Sequence, residues 1–198
     1  LVRDLAASLD VTCHVTQAPI DPTVSGVQEN ARDLRYNWFG ELLESNTYDL
    51  ILTAHHADDQ LETLLMRLTR GSGLEGLGGI QDKKGFLLRP LLPFYKDEIL
   101  AYAKEQKLLW REDVSNSSSK YLRNAIRHKV LPSFMGLSAD VAANTLTSMQ
   151  YLRDAFKAIQ SQLQKIKTAW KQQGEVLKIP FSSIDTLHPK SFWLHHLF

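Results

Sequence analysis

The chain has 198 residues, 43% of them hydrophobic, a net charge of +1 and a pI near 8.0. Its length suffices for one domain and part of another, and its near-balanced charge supplies no overall field that would commit it to nucleic acid or membrane. A single cysteine, Cys13, excludes a disulfide framework, a multi-cysteine zinc site and a cysteine-held iron–sulfur cluster within the chain, which fits a reducing, cytoplasmic setting. No apolar run approaches membrane-spanning length.

The first residues read as an amphipathic helix over residues 1–9, with Leu1, Val2, Leu5 and Leu9 on one face. A strand is expected over residues 11–15 and a turn at Ala18-Pro19-Ile20-Asp21-Pro22. From Val27 onward apolar residues recur as Ala31, Leu34, Trp38 and Leu42, with Tyr36, Phe39 and Leu43 widening the stripe, which is the pattern of a long helix lying on a sheet.

Residues 48–80 carry the densest chemistry. Asp49-Leu50-Ile51-Leu52-Thr53 is an apolar run of strand length, suited to a parallel sheet covered on both faces. Ala54-His55-His56-Ala57-Asp58-Asp59 follows at once, so His55, His56, Asp58 and Asp59 fall at the carboxyl end of a strand, where open α/β sheets bind ligands. Leu61, Leu64, Leu65 and Leu68 then recur at helical spacing, with Asp58 or Asp59 placed to cap the first turn and Glu62 one turn further along. The helix is expected to stop at Arg70-Gly71. Five glycines, Gly71, Gly73, Gly76, Gly78 and Gly79, make the next nine residues a loop whose backbone could approach a phosphate or a nucleic-acid backbone closely.

Further along, residues 85–90 read as a short strand closed by Pro90, and residues 94–107 as a helix through Ile99, Leu100, Tyr102 and Ala103. A polar loop is expected over residues 111–119. Residues 120–129 form a short basic helix with Lys120, Arg123, Arg127, His128 and Lys129, and Leu131-Pro132 marks a domain edge. Beyond it one long helix is expected over residues 139–172 with Leu146, Met149, Leu152, Phe156, Ile159, Leu163 and Ile166 on its apolar side, then a strand over residues 176–179. The alternation of strands and helices implies an α/β fold with a parallel, doubly wound sheet over residues 1–132, followed by a helical linker and the start of a second domain over residues 133–198.

Each feature also has a plainer explanation. The His and Asp cluster could ligate zinc or manganese, yet adjacent residues at a strand end point in different directions, and an aspartate before a helix is an ordinary cap. Glycine-rich surface loops are common, Lys83-Lys84 suits a solvated turn, and the basic run at residues 120–129 reads equally as an exposed face or as a phosphate contact.

In combination the motifs are more specific. Glu29-Asn30-Ala31-Arg32-Asp33-Leu34-Arg35-Tyr36, the run TAHHADDQLETLLMRLTRGSGLEGLGGI beginning at Thr53, Arg89-Pro90-Leu91-Leu92, and REDVSN with YLRNAIRHKVLP resemble, in order and spacing, the tRNA(Ile)-lysidine synthetase family of PP-loop ATP pyrophosphatases over roughly residues 26–132. The resemblance implies an adenine nucleotide alpha-hydrolase-like, Rossmann-like fold. It implies an ATP-dependent carbon–nitrogen ligase acting on the wobble cytidine of tRNA(Ile) with a CAU anticodon: the cytosine oxygen attacks the α-phosphate, pyrophosphate leaves, and free L-lysine displaces AMP to give lysidine. ATP and Mg2+ are the implied cofactors, with a homodimer left open.

By motif, Asp59 would orient the lysine amine or take its proton, with His55 and Glu62 in support. Thr53, Ala54, Arg70, Gly71 and Gly73 would contact ATP or lysine, and Arg123, Arg127 and Asn124 would contact tRNA or phosphate; no metal ligand is assigned. The family's Ser-Gly-Gly-x-Asp-Ser loop does not occur in these residues. Its place would precede Leu1, so a truncated domain without full ATP-binding capacity is expected. Three competing readings remain: tRNA cytidine 2-thiolation, disfavoured by the single cysteine; a metal-dependent phosphoesterase built on the His and Asp cluster; and a non-catalytic tRNA-binding module.

Overall fold

In a computed structural model the described residues are 1–19, 27–46, 48–111 and 122–197. The elements in chain order are α1 (Val2–Ser8), α2 (Val27–Asn46), β1 (Ile51–Leu52), α3 (Ala57–Leu68), α4 (Leu74–Leu77), β2 (Lys83–Lys84), β3 (Leu87–Leu88), α5 (Lys96–Glu105), α6 (Leu122–Ala125), a π-helical turn (Ile126–Val130), α7 (Leu131–Met135), α8 (Val141–Thr168), β4 (Lys171–Gln173), β5 (Val176–Lys178), α9 (Ser182–Asp185) and α10 (Lys190–Leu197). They fall into two compact units. The loop expected at residues 111–119 and Lys120 lie outside the described residues, apart from Arg111, as do Ile20, Asp21 and Pro22.

The first unit comprises Leu1–Leu52 and Gly85–Leu88. In α2 the expected stripe holds: Ala31, Leu34, Trp38 and Leu42 are half-buried while Arg32, Asp33, Arg35 and Glu41 are exposed. β1 and β3 pair in parallel with Ile51 opposite Leu87 and Leu52 opposite Leu88, and the Ile51 N–H donates to Phe86 O at 2.8 Å. Parallel pairing is thus present, but two residues per strand do not by themselves build a doubly wound sheet.

The strand expected at residues 11–15 does not form. Its residues enter no ladder with a described strand, Val11 and Val15 are exposed, and the Val11 N–H instead closes the end of α1 on Ala6 O at 3.0 Å. An apolar run becomes a strand only where a neighbour takes up its backbone groups.

The second unit comprises Thr53–Lys84 and Arg89–Phe198. Its first core packs Leu61 of α3, Leu131 of α7 and Ala142 of α8 together, with Leu65, Tyr95, Phe134, Met135 and Leu146 around them. A second cluster forms at the far end of α8, where Leu163 and Ile166 meet Leu197 of α10, with Ile159, Trp170, Leu187 and Trp193 alongside. Residues 171–178 form an antiparallel hairpin, Lys171 opposite Lys178 and Gln173 opposite Val176. The strand expected at residues 176–179 is one arm of it. Among the described residues no helix is long and apolar enough to cross a membrane.

The glycine-rich stretch departs most from expectation. α3 ends at Leu68 with Thr69 as its C-cap, and Gly71, two residues past the cap at φ +70, takes the left-handed conformation that lets the chain turn away. Three residues on, however, the chain turns into α4 with Gly73 as its N-cap. Beyond it the glycines are needed for packing: a Cβ at Gly79 (φ +81) would lie 2.3 Å from Met149 Cε and 2.4 Å from Gln60 Oε1, and one at Gly78 would lie 2.8 Å from Arg153 Cγ. Close approach is required there, with α3 and α8 as the approaching partners.

Candidate active site

The first turn of α3 holds the acidic cluster. His56, extended at φ −127 and ψ 179, is the N-cap, and its backbone N–H donates to Asp59 Oδ2 at 3.0 Å from the third helical position. Asp58 and Asp59 both lie where the helix dipole favours negative charge. Asp58 also reaches outward: its Oδ2 accepts the backbone N–H of Lys96 at 2.8 Å, and the Ala57 N–H donates to Phe94 O at 2.8 Å, so the starts of α3 and α5 are tied together.

One turn on, Glu62 is 1% exposed, and a carboxylate so placed needs cationic partners. Arg123 and Arg127 supply them. Arg123 Nε donates to Glu62 Oε2 at 2.8 Å and its Nη2 to Asp59 Oδ1 at 2.7 Å; Arg127 Nε donates to Glu62 Oε1 at 2.5 Å and its Nη2 to Glu62 Oε2 at 3.0 Å. Arg127 Nη2 also lies 3.6 Å from Asp59 Oδ1. The two arginines are four residues apart and so share a helix face, across the junction of α6 and the π-helical turn. That turn has a local cause: Pro132 cannot donate to the carbonyl four residues back and its ring would strike it, so the coil widens before it.

His56 is the imidazole at ion-pair distance from both aspartates, Nδ1 at 3.3 Å from Asp58 Oδ2 and Nε2 at 3.5 Å from Asp59 Oδ2. The Asp58 carboxylate raises the His56 pKa above its ordinary value, against the opposing effect of burial. Conversely His56, and then the Lys96 N–H, hold Asp58 below the ordinary aspartate value although burial works the other way. The Arg127 pKa is raised, first by its hydrogen bond to Glu62.

The expected site residues therefore divide. Asp59, Glu62, Arg123 and Arg127 come together in one network. His55 lies beside it in the chain, with Nδ1 at 2.9 Å from Thr53 Oγ1. Thr53 is half-buried, Ala54 is exposed, and Asn124 is buried between the two arginines in sequence. Arg70, Gly71 and Gly73 sit past the opposite end of α3, and the nine-residue rise from Asp59 to Leu68 alone is roughly 14 Å along the axis.

Four residues with structural roles in this unit were given no role from the sequence. Gln60, buried beside Asp59, grips Ile80 at both ends, Nε2 to the carbonyl at 2.7 Å and Oε1 from the N–H at 2.6 Å. Arg67 donates to the carbonyls of Gly76 and Gly79, and Arg153 Nη1 donates to Gly78 O at 2.6 Å. Arg89 is buried with Nη1 on Gln81 O at 2.7 Å, joining the residues that precede β2 to the one that follows β3. Two of them had a signal in the sequence, Gln60 by its place next to two aspartates on a helix start and Arg89 as the first residue of the motif Arg89-Pro90-Leu91-Leu92. An open groove of about 580 Å³ runs between this turn and α8, lined by Gln60, Gly79, Gln150, Arg153, Phe156 and Lys157 among others; none of Asp59, Glu62, Arg123 or Arg127 lines it. Among the described residues no group of three or more His, Cys, Asp or Glu side chains is placed to hold a metal ion; Asp59 Oδ1 and both Glu62 oxygens accept guanidinium N–H groups, and Asp59 Oδ2 accepts the His56 backbone N–H.

The PP-loop domain family matches residues 1–134, and the chain belongs to that family. Its curated relatives are narrower in kind. It is 44% identical over 135 residues to the tRNA(Ile)-lysidine synthase of Chlorobaculum tepidum, covering 66% of this chain and 41% of that protein. It is 33% identical over 205 residues to the tRNA(Ile)-lysidine synthase of Porphyromonas gingivalis, covering 96% of this chain and 45% of the relative. A bifunctional TilS/HprT protein of Listeria innocua is 45% identical over 111 residues, which is 54% of this chain and 17% of the relative. The chain thus spans less than half the length of these relatives. The resemblance stated from the motifs is borne out.

Proposed function

We propose that the protein to which this chain belongs is a tRNA(Ile)-lysidine synthase: an ATP-dependent ligase that joins free L-lysine to carbon 2 of the wobble cytidine in tRNA(Ile) with a CAU anticodon. The reading draws on the named relatives and on one observation, the buried Asp59–Glu62 pair balanced by Arg123 and Arg127. In the first half of the reaction the cytosine oxygen bonds to the α-phosphate of ATP and pyrophosphate departs. In the second the lysine ε-amine attacks carbon 2, AMP departs, and the amine loses a proton.

Asp59 is assigned to the amine, orienting it or accepting its proton, supported by His55 and Glu62. An alkylammonium is a donor of the same kind as the guanidinium N–H already on Asp59 Oδ1, so the carboxylate is suited to it in charge and in hydrogen bonding. Arg123 and Arg127, with Asn124, are assigned to phosphate or tRNA. In that role a guanidinium is shared between a carboxylate and a phosphate oxygen, and Glu62 keeps the arginines in place before the substrate arrives.

Thr53, Ala54, Arg70, Gly71 and Gly73 complete the proposed ATP and lysine contacts, the last three on account of their motif. Magnesium is the implied cation for the ATP phosphates; among the described residues no group of His, Cys, Asp or Glu side chains is placed to hold it, and no step is derived through it. The whole domain is read as an adenine nucleotide alpha-hydrolase-like, doubly wound sheet in a cytoplasmic enzyme. The phosphoesterase and passive RNA-binding readings draw no support from the relatives.

The test uses the full-length protein with ATP, L-lysine and tRNA(Ile). Asp59→Asn keeps the shape of the site and removes the proton acceptor, and should lower lysidine formation by about 10²–10⁴-fold. An unchanged rate would remove Asp59 from the reaction.

A further inference from the structure

Around the start of α3 three carboxylates, Asp58, Asp59 and Glu62, meet two guanidinium groups, Arg123 and Arg127. With His56 neutral this cluster carries one negative charge in excess. With His56 protonated it carries none. The imidazole is placed for that difference to act on the reaction, because Nε2 lies 3.5 Å from Asp59 Oδ2, the same oxygen that accepts the His56 backbone N–H. Asp59 Oδ1 is held by Arg123. Of the groups in contact with Asp59, arginine stays charged at every physiological pH, whereas the His56 imidazole, placed between Asp58 and Asp59, gains or loses its charge near neutrality; the neighbouring imidazole, His55, has its Nδ1 2.9 Å from Thr53 Oγ1.

The other neighbours do not offset it. From α3 itself come Asp58, Asp59 and Glu62, all anionic; from the helix beyond Leu122 come Arg123 and Arg127; from the start of α5 come the Lys96 backbone N–H on Asp58 and the Tyr95 phenol. Burial and then Asp58 push the Tyr95 pKa up, which keeps the phenol neutral. Glu98 is turned toward its own helix start, accepting the Tyr95 N–H at 2.7 Å.

We propose that His56 is a positioning residue whose protonation decides whether the Asp59–Glu62 pair accepts a primary alkylammonium. The proposal rests on the lysine-ligase reading for the identity of that amine. With His56 neutral, Asp59 Oδ2 has no ionic partner and receives an amine N–H. With His56 protonated, the imidazolium takes that oxygen and cancels the excess charge that draws the ammonium in. Asp58 sets where the change falls: it raises the His56 pKa, so the transition lies above the ordinary imidazole value of 6.5.

The experiment measures L-lysine binding to the full-length protein by titration calorimetry from about pH 6 to about pH 8.5, a range that spans imidazole titration. Lysidine formation is followed in parallel. The wild-type Kd for lysine should rise on the order of tenfold toward the acid end, the size expected from one added charge several ångströms from the ammonium at partly buried dielectric. In His56→Gln, which keeps the backbone N–H on Asp59, that dependence should vanish and binding should stay tight. In Asp58→Asn the transition should move to lower pH.

A His56→Gln profile superimposable on wild type overturns the proposal, as does an unmoved transition in Asp58→Asn or an absence of lysine binding at every pH. Lysidine formation with a His56-independent Kd removes His56 and leaves the ligase reading standing. His56-dependent lysine binding without lysidine formation supports His56 and removes the ligase reading.

Discussion

Replacing Arg127 by Met tests whether the arginine–carboxylate network holds the site together. Met keeps most of the aliphatic length and deletes the guanidinium. Glu62, 1% exposed, would pass from three charge-assisted bonds to one, keeping only Arg123 Nε at 2.8 Å. Removing one partner of a buried ion pair leaves an uncompensated charge and costs about 3–5 kcal/mol. Arg127 is partly open to solvent, with 27% of its side chain exposed, which places the expectation at the low end, about 3 kcal/mol.

For a unit of this size that corresponds to a fall in Tm of roughly 6–12 °C. Glu62→Met paired with Arg127→Met separates the pair from general packing: with both charges gone, the double variant should be more stable than the sum of the single losses, by at least about 1 kcal/mol of coupling. Calorimetric melting of the four proteins gives the cycle. A single Arg127→Met loss below about 0.5 kcal/mol, the range of an ordinary surface substitution, would refute the claim that Glu62 depends on it.

Two further tests follow from the same geometry. Gly79→Ala meets Met149 Cε at 2.3 Å and Gln60 Oε1 at 2.4 Å on top of a positive φ, whereas Gly71→Ala meets only the φ cost because nothing lies within 4 Å. Both atoms are the ends of flexible side chains, so thermal melts should show Gly79→Ala as the more destabilising by about 1 kcal/mol, the low end of over-packing costs, and equal losses would contradict the packing. The His56–Asp58 pair also gives stability a pH signature. His56, with its folded pKa raised, contributes fully below its unfolded value of 6.5 and loses the contribution as pH rises through the folded value; Asp58, with its folded pKa lowered, contributes above 3.8 and loses the contribution as pH falls through the folded value. The Tm gap between wild type and His56→Gln should be widest between these two values and shrink toward alkaline pH. A gap constant with pH would rule the pair out.

The helices were the legible part of this chain because their signals are local. Asp58 and Asp59 before a leucine stripe and Gly71 after it bound α3 closely, and α8, expected over residues 139–172, runs over Val141–Thr168. The sheet was less legible. Residues 11–15 have strand composition, but a strand needs a neighbour, and composition does not say whether one is present. The site was legible in its residue types more than in their partners. Arg123 and Arg127 read from sequence as a phosphate-facing surface, yet the carboxylates they hold are 61 and 65 residues away. Nothing near residue 79 in the chain announces Met149 or Arg153, so glycines that serve close packing looked like glycines that serve a ligand. Nor does any local pattern announce that the helix cap places the His56 imidazole between Asp58 and Asp59.

The close approach of Gly79 to Met149 bears on where this unit can be cut. The family match ends at residue 134, seven positions before α8 begins. Yet Ala142 closes the core on Leu61 and Leu131, Met149 fills the space that Gly79 leaves, and Arg153 secures the Gly78 carbonyl. A polypeptide ended at the homology boundary would strip the cover from Leu61, which sits between the two carboxylates in sequence, and leave the glycine turn with nothing to fold against. The stretch that relatives share and the stretch that makes a self-sufficient folding unit differ in length, and excision of the latter has to carry at least the first half of α8.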